Sequence, residues 1–121
     1  MSTINKFEDI LAWQKAREMI KSIYELTDAD KFSRDFTLKN QILSASFSIM
    51  LNIAEGFGRR TDKEFNNFLG IAHGSTAEVQ SALYIALDRK YIEQEQFQNA
   101  YNSCCEISKM LMGLMKYLGK K

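Results

Sequence analysis

The chain has 121 residues, of which 45% are hydrophobic and 26% are charged, as expected for one globular domain covering residues 1–121. Its 16 basic and 15 acidic residues leave a net charge of +1, which excludes a strong overall attraction to nucleic acid or anionic membranes. The N-terminus lacks the apolar core of a signal peptide, and no apolar run reaches the roughly 18 residues of a membrane span. We therefore expect a cytoplasmic protein without a membrane partner.

Four amphipathic helices are predicted along the chain. Proline is absent and glycine occurs only six times, a composition that favours long helices. Apolar residues recur every three or four positions from residue 10 to 26, which predicts the first helix. Residues 27–35 lose this periodicity and gather turn-forming residues, so they are predicted to form a connection. The second helix is predicted from about residue 38 to 57, with Thr37 as its N-terminal cap.

The third and fourth predicted helices carry start signals of their own. Thr61 and Glu64 have the Ser/Thr-x-x-Glu spacing of a capping box, so the third helix should begin there and continue to about residue 90. Glu93 and Glu95 suit the positive end of a fourth helix, whose apolar stripe continues nearly to the C-terminus. Four helices with three short connections predict an all-α fold, an up-down-up-down antiparallel four-helix bundle.

The fourth predicted helix contains a segment, residues 110–115, that is apolar around its whole circumference. The last helix of a monomeric bundle should keep a polar outer face. Met110, Met112 and Met115 are therefore predicted to contact another subunit. The alternative is that these flexible side chains fill an irregular edge of the core.

Residues that could support catalysis or bind a metal are sparse. Cys104 and Cys105 are adjacent on a helix, where side chains point about 100° apart and cannot easily form a disulfide. His73 is the only histidine, so one subunit cannot build a histidine metal site. Glu55 and Glu78 could form a catalytic pair, but no nucleophile, metal cluster or phosphate loop accompanies them. We predict no enzymatic activity, catalytic residue, cofactor, metal or small-molecule substrate.

The junction between the second and third predicted helices, residues 52–65, has the densest mixture of polar residues and glycines. Glu55 could pair with Arg59 one turn later, and Asn52 could satisfy backbone groups. Gly56 and Gly58 would allow either a close helix approach or a positive φ at the helix end. These roles would fix how the second helix ends and how the third begins.

Basic residues are concentrated locally. Residues 31–60 contain five basic and two acidic residues, whereas residues 1–30 contain four basic and six acidic ones. Arg59, Arg60 and Lys63 cluster at the junction, and an oligomer that repeats this patch would have a basic rim able to contact phosphates. The alternative is a solvated turn whose arginines pair with Asp62 and Glu64.

Two motifs and a closing pair, Tyr91-Ile92, stand at fixed spacing along most of the chain. The N-terminal motif comprises Phe7-Glu8-Asp9-Ile10, Trp13-Gln14-Lys15-Ala16-Arg17-Glu18 and Ile23-Tyr24-Glu25-Leu26-Thr27. The central motif comprises Ser48-Ile49, Asn52-Ile53-Ala54-Glu55-Gly56, Gly58-Arg59, Glu64-Phe65, Phe68-Leu69, Ile71-Ala72 and Gly74-Ser75. In these residues the chain resembles the 23S rRNA intervening sequence proteins, a family of four-helix bundles.

This resemblance implies a bundle that assembles into a ring, with a homopentamer as the expected oligomer. A related group, the accessory variability proteins of retroelements, forms pentameric barrels with a basic surface and associates with a reverse transcriptase and with nucleic acid. The implied function is a non-enzymatic homo-oligomeric scaffold or accessory protein. Its expected partners are its own copies and either RNA or a nucleic-acid-processing protein.

The alternative function is an RNA-binding module of a ribosomal or retroelement-related particle. Leu43 and Ser44 stand where the family usually has an arginine, and this loss of positive charge argues against direct binding of nucleic acid. The junction keeps the family's structural signature. The residues that carry it are Asn52, Glu55, Gly56, Gly58, Thr61 and Glu64.

Overall fold

The computed structural model describes residues 4–120, which contain helices and no strand. A short 3₁₀ turn at Phe7–Asp9 precedes five α-helices. These are α1 (Leu11–Asp28), α2 (Asp30–Arg34), α3 (Phe36–Phe57), α4 (Asp62–Asp88) and α5 (Gln94–Gly119). The four predicted helices are present as α1, α3, α4 and α5, which confirms the all-helical fold.

The four long helices form an up-down-up-down bundle. Helix α1 packs against α3 and α5, and α4 packs against the same two helices. Early residues of one helix meet late residues of the next: Asp28 pairs with Lys39, and the Tyr24 ring lies 6.1 Å from the Phe47 ring. Such pairing requires antiparallel neighbours. None of the helices in the described chain combines the length and the hydropathy of a membrane span.

One hydrophobic core runs through the bundle. Each long helix contributes fully buried side chains, for example Ile23 of α1, Ile49 of α3, Leu83 of α4 and Ile107 of α5. The three-to-four spacing of apolar residues places these side chains on the inner face of each helix. Burial of each stabilises the fold by roughly 1.5–3 kcal/mol relative to exposure.

The connection predicted over residues 27–35 is wrong in detail. Helix α1 continues to Asp28, and the short helix α2 follows. Phe32 in α2 is completely buried, and its ring stacks on Tyr91 with 5.3 Å between centroids. The connection is therefore ordered, because the buried Phe32 side chain holds it against the bundle. The turn-forming residues around Phe32 do not indicate this burial.

The predicted helix caps have different outcomes. Thr61 is the N-cap of α4, and its Oγ1 accepts a hydrogen bond from the Glu64 backbone N–H at 3.1 Å, which confirms the threonine half of the predicted capping box. The Glu64 carboxylate accepts from the Thr61 hydroxyl at 3.1 Å. Thr37 does not cap α3, which begins at Phe36 instead of residue 38. The cap is Asp35, whose Oδ1 accepts from the Leu38 N–H at 3.1 Å. An aspartate two residues upstream supplies the acceptor, so the prediction for Thr37 is wrong.

Candidate functional site

The junction between α3 and α4 is tight because Gly56 lets the two helices approach closely. A Cβ atom at Gly56 would lie 2.6 Å from the Phe68 Cβ and 3.0 Å from the Phe65 Cδ1. Gly58 has φ −77°, and no glycine among residues 4–120 has a positive φ. Of the two roles considered for these glycines, close approach therefore applies to Gly56 and positive φ applies to neither.

Arg59 is held on the surface of the junction by two contacts. Its guanidinium lies 2.9 Å from Glu55 Oε1, the predicted ion pair. The guanidinium carbon also lies 4.7 Å from the centre of the Phe68 ring, in a cation–π arrangement. Both charged groups remain about half exposed, so the ion pair adds little stability. The pair fixes the orientation of Arg59 across the end of α3.

A polar network links α3 to α4 further from the junction. Asn52 Nδ2 donates to the Ser48 carbonyl oxygen at 2.8 Å and to Ser48 Oγ at 3.0 Å. Ser75 Oγ in turn lies 2.8 Å from Ser48 Oγ. Asn52 thus satisfies a backbone group, as predicted, and also orients the serine that bridges the two helices. This arrangement positions the helices and presents no activated nucleophile.

Glu55 and Glu78 do not form a carboxylate pair. Ser48 faces Ser75, and Glu55 is seven residues closer to the junction than Ser48, whereas Glu78 is three residues further away than Ser75. At 1.5 Å per residue this separates them by roughly 15 Å along the antiparallel axes. The two carboxylates therefore cannot share a proton or flank one substrate.

The basic residues Arg60 and Lys63 are exposed beside Arg59 at the junction. Residues 55–64 contain these three basic residues and three acidic ones, Glu55, Asp62 and Glu64, so the segment has no net charge. One subunit therefore offers two exposed cations here, without the local positive excess that strong phosphate binding requires.

The methionines of α5 divide into two groups. Met110 and Met115 are half-buried and pack against the core, as in the core-filling alternative. Met112 is 55% exposed. Of the three side chains predicted to contact another subunit, Met112 is therefore the one that presents an apolar surface to solvent.

His73 and the cysteines have structural surroundings. His73 Nε2 lies 2.8 Å from Ser108 Oγ, and this contact joins α4 to α5. Cys104 is buried beside Met19, with 3.5 Å between their sulfur atoms, and burial raises the pKa of its thiol to about 12. No group of three or more potential metal-binding residues occurs in the described part of the chain.

A second polar cluster, which the sequence patterns did not indicate, closes the opposite end of the bundle. Besides capping α3, Asp35 accepts a hydrogen bond from the Tyr91 hydroxyl at 2.9 Å. The Leu38 N–H and, secondarily, the Tyr91 hydroxyl lower the pKa of the Asp35 carboxyl below its ordinary value. The Arg89 guanidinium carbon lies 5.9 Å from the Tyr91 ring centre. The sequence signal that could have indicated this cluster is the excess of basic residues over positions 31–60.

Comparisons with known proteins agree with this architecture. The structure is similar to a solved protein of unknown function from the S23 ribosomal protein family of Bacteroides thetaiotaomicron, with a TM-score of 0.81 and 27% sequence identity. The match covers 88% of this chain and 96% of that one. No curated protein sequence matches the chain. The family model for the 23S rRNA-intervening sequence protein matches residues 8–113, and the chain therefore belongs to that family.

Proposed function

We propose that this protein is a non-enzymatic scaffold or accessory subunit that works as an assembly of identical copies, with a pentameric ring as the expected form. The observation that carries this proposal is a pair of exposed apolar side chains on α3 and α4. Leu51 is 65% exposed and Ile71 is 52% exposed. Exposed large apolar groups that occur together are typical of protein contact surfaces.

Helical spacing places these two side chains on the same surface. Leu51 follows Ser48 by three residues, and Ile71 precedes Ser75 by four, so each lies one turn from the serine of its own helix. Since the two serine hydroxyls are 2.8 Å apart, Leu51 and Ile71 flank the same polar bridge. The bridge fixes how α3 and α4 present the two apolar groups, which supports a rigid interface between copies.

Native mass measurement at micromolar concentration tests the assembly. We expect an oligomer for the unaltered chain and a shift to monomer for the double variant Leu51→Glu with Ile71→Glu, because charges buried in an interface are strongly unfavourable. Leu11→Glu is the matched control, since Leu11 is similarly exposed but lies on α1. Met112→Glu separately tests the α5 contact. A monomeric unaltered protein would contradict the proposal.

The second candidate is RNA binding at the junction, which the name of the family suggests. A ring would repeat the exposed Arg60 and Lys63, together with the neighbouring Asp62 and Glu64, so we expect weak binding that decreases steeply with salt. An electrophoretic shift assay with structured RNA across a salt series measures it. The double variant Arg60→Gln with Lys63→Gln should reduce the shift, and unchanged binding in that variant would remove the junction as the RNA contact.

A further inference from the structure

An open depression of about 600 Å³ lies at the end of the bundle opposite the junction. It is formed by α2, by the first residues of α3 and by the segment that follows α4. The residues that line it are Lys31, Arg34, Asp35, Phe36, Thr37, Arg89 and Tyr91. Helix α3 has 22 residues, so this depression is separated from the junction by about 33 Å.

The charge of the depression is predominantly positive. Lys31, Arg34 and Arg89 line it together with one carboxylate, Asp35. Both oxygens of that carboxylate already accept hydrogen bonds, Oδ1 from the Leu38 N–H and Oδ2 from the Tyr91 hydroxyl. Asp35 therefore holds the fold, and its charge also acts on Arg89, so the lining keeps three cations against one carboxylate.

The ion pair of Arg34 leaves it able to bind an anion. Arg34 lies 3.4 Å from Asp30 Oδ1, and the two side chains are 72% and 85% exposed. An ion pair with this distance and exposure contributes little stability, so Arg34 can readily exchange Asp30 for another anion. Asp88 and Glu93, close in sequence to Arg89, are also exposed to solvent. A ligand must therefore offer several phosphates or an additional type of contact to bind here.

Phe36 supplies that additional contact. It is the first residue of α3 and is 70% exposed, although Phe32, four residues earlier, is completely buried. The neighbouring residue Asp35 caps the helix and fixes the backbone from which the Phe36 ring projects. An exposed aromatic ring beside cations is the combination that single-stranded nucleic acids use, because a base stacks on the ring while phosphates contact the charges.

We propose that this depression binds single-stranded nucleic acid, with a base stacked on Phe36 and backbone phosphates contacting Lys31, Arg34 and Arg89. The open shape allows a strand to enter and leave across the end of the bundle. An acidic peptide could satisfy the cations but would not need the Phe36 ring. The site is built within one subunit, so it does not depend on the assembly proposed above or on the basic residues of the junction.

Fluorescence anisotropy with a labelled oligouridylate tests this site in the full-length protein. We expect Phe36→Ala to weaken binding about tenfold, as for loss of one stacked base, and Phe36→Trp to retain it. The triple variant Lys31→Gln, Arg34→Gln and Arg89→Gln should weaken binding further. It should also reduce the slope of log affinity against log salt by about 2, or roughly 0.7 per lost phosphate contact.

Matched controls separate this site from the others. Lys109→Gln with Lys116→Gln changes two exposed lysines of α5 that do not line the depression, and it should leave oligouridylate affinity unchanged. The double variant Leu51→Glu with Ile71→Glu should still bind as a monomer. Absence of binding in the unaltered chain would overturn this inference while leaving the assembly proposal intact. Equal losses in the α5 lysine variant, full affinity in Phe36→Ala, or equally strong competition by polyglutamate would also overturn it.

Discussion

The two ends of the bundle are closed by different kinds of contact. At the junction, α3 and α4 are joined by residues 58–61, and Gly56 brings them together through contacts with Phe65 and Phe68 that are close in sequence. At the opposite end, α2 is held by the stacking of Phe32 on Tyr91. The Tyr91 hydroxyl also donates a hydrogen bond to Asp35, which is 56 residues earlier in the chain. The junction is therefore determined by local sequence, whereas the opposite end depends on residues that meet only in the folded chain.

The largest expected effect is at the opposite end. Phe32→Ala removes a completely buried ring and should lower the free energy of unfolding by about 3 kcal/mol or more, because the cavity cannot collapse fully. Phe36→Ala is the control and should change stability by less than about 0.5 kcal/mol, since that ring is mostly exposed. Urea unfolding at one fixed protein concentration measures both. Similar losses in the two variants would contradict the assignment of Phe32 as the anchor of α2.

The next effect is at the junction. Gly56→Ala places a Cβ 2.6 Å from the Phe68 Cβ, so the helices must separate. We expect a net loss of about 1–2 kcal/mol, because the strain exceeds the roughly 1 kcal/mol that alanine gains in helix propensity. At Gly70 the new Cβ would meet only Met115 Cε at 4.0 Å, so Gly70→Ala should be neutral or stabilising in the same urea titration. A stabilised Gly56→Ala protein would show that close approach is not required there.

A smaller difference separates the two threonines at the N-terminal ends of α3 and α4, Thr37 and Thr61. Thr61→Ala removes the acceptor for the Glu64 N–H and should cost about 1 kcal/mol. Thr37→Ala should leave stability unchanged or slightly raised, because Asp35 caps α3 and alanine favours a helix. Thermal unfolding of both variants provides the comparison. If Thr37→Ala were the more destabilised variant, the assignment of the α3 cap would be wrong.

The same contrast explains what the sequence could predict. Thr61 and Glu64 form a local signal, because the groups that bond are three residues apart and need no other part of the chain. The long helices followed from apolar periodicity for the same reason. Phe32 lies in a segment rich in turn formers, and its burial depends on Tyr91, which is distant in sequence. The depression opposite the junction could not be predicted from the sequence patterns, because its lining comes from three separate segments of the chain.

The exposure of individual side chains was also beyond the sequence patterns. Met110, Met112 and Met115 looked equivalent on an apolar segment, yet two pack against the core and one faces solvent. The exposure of each methionine depends on which side of α5 packs against α1 and α4. The sequence of a segment that is apolar on all sides does not indicate that side. In the same way, the ion pair of Glu55 and Arg59 could be predicted from their spacing of one helical turn. The contact of Arg59 with the Phe68 ring could not, because it depends on how α3 and α4 pack.

The smallest expected effect is a change in acid sensitivity at the opposite end. Hydrogen bonds from the Leu38 N–H and the Tyr91 hydroxyl lower the pKa of Asp35 in the folded protein. A lowered folded-state pKa contributes stability that is present above the unfolded-state value of about 3.9 and is lost as pH falls through the folded-state value. Asp35→Asn lacks this titration and should lose less stability than the unaltered chain between about pH 5 and about pH 3.

Tyr91→Phe provides the intermediate case for this titration. It removes the second-largest cause of the shift and keeps the larger one, the Leu38 N–H, so its acid sensitivity should fall between those of the unaltered chain and Asp35→Asn. Urea midpoints measured across the same pH range give the three profiles. Parallel profiles would mean that the Asp35 carboxylate has the same pKa folded and unfolded, and the polar bond that closes this end would then contribute no pH-dependent stability.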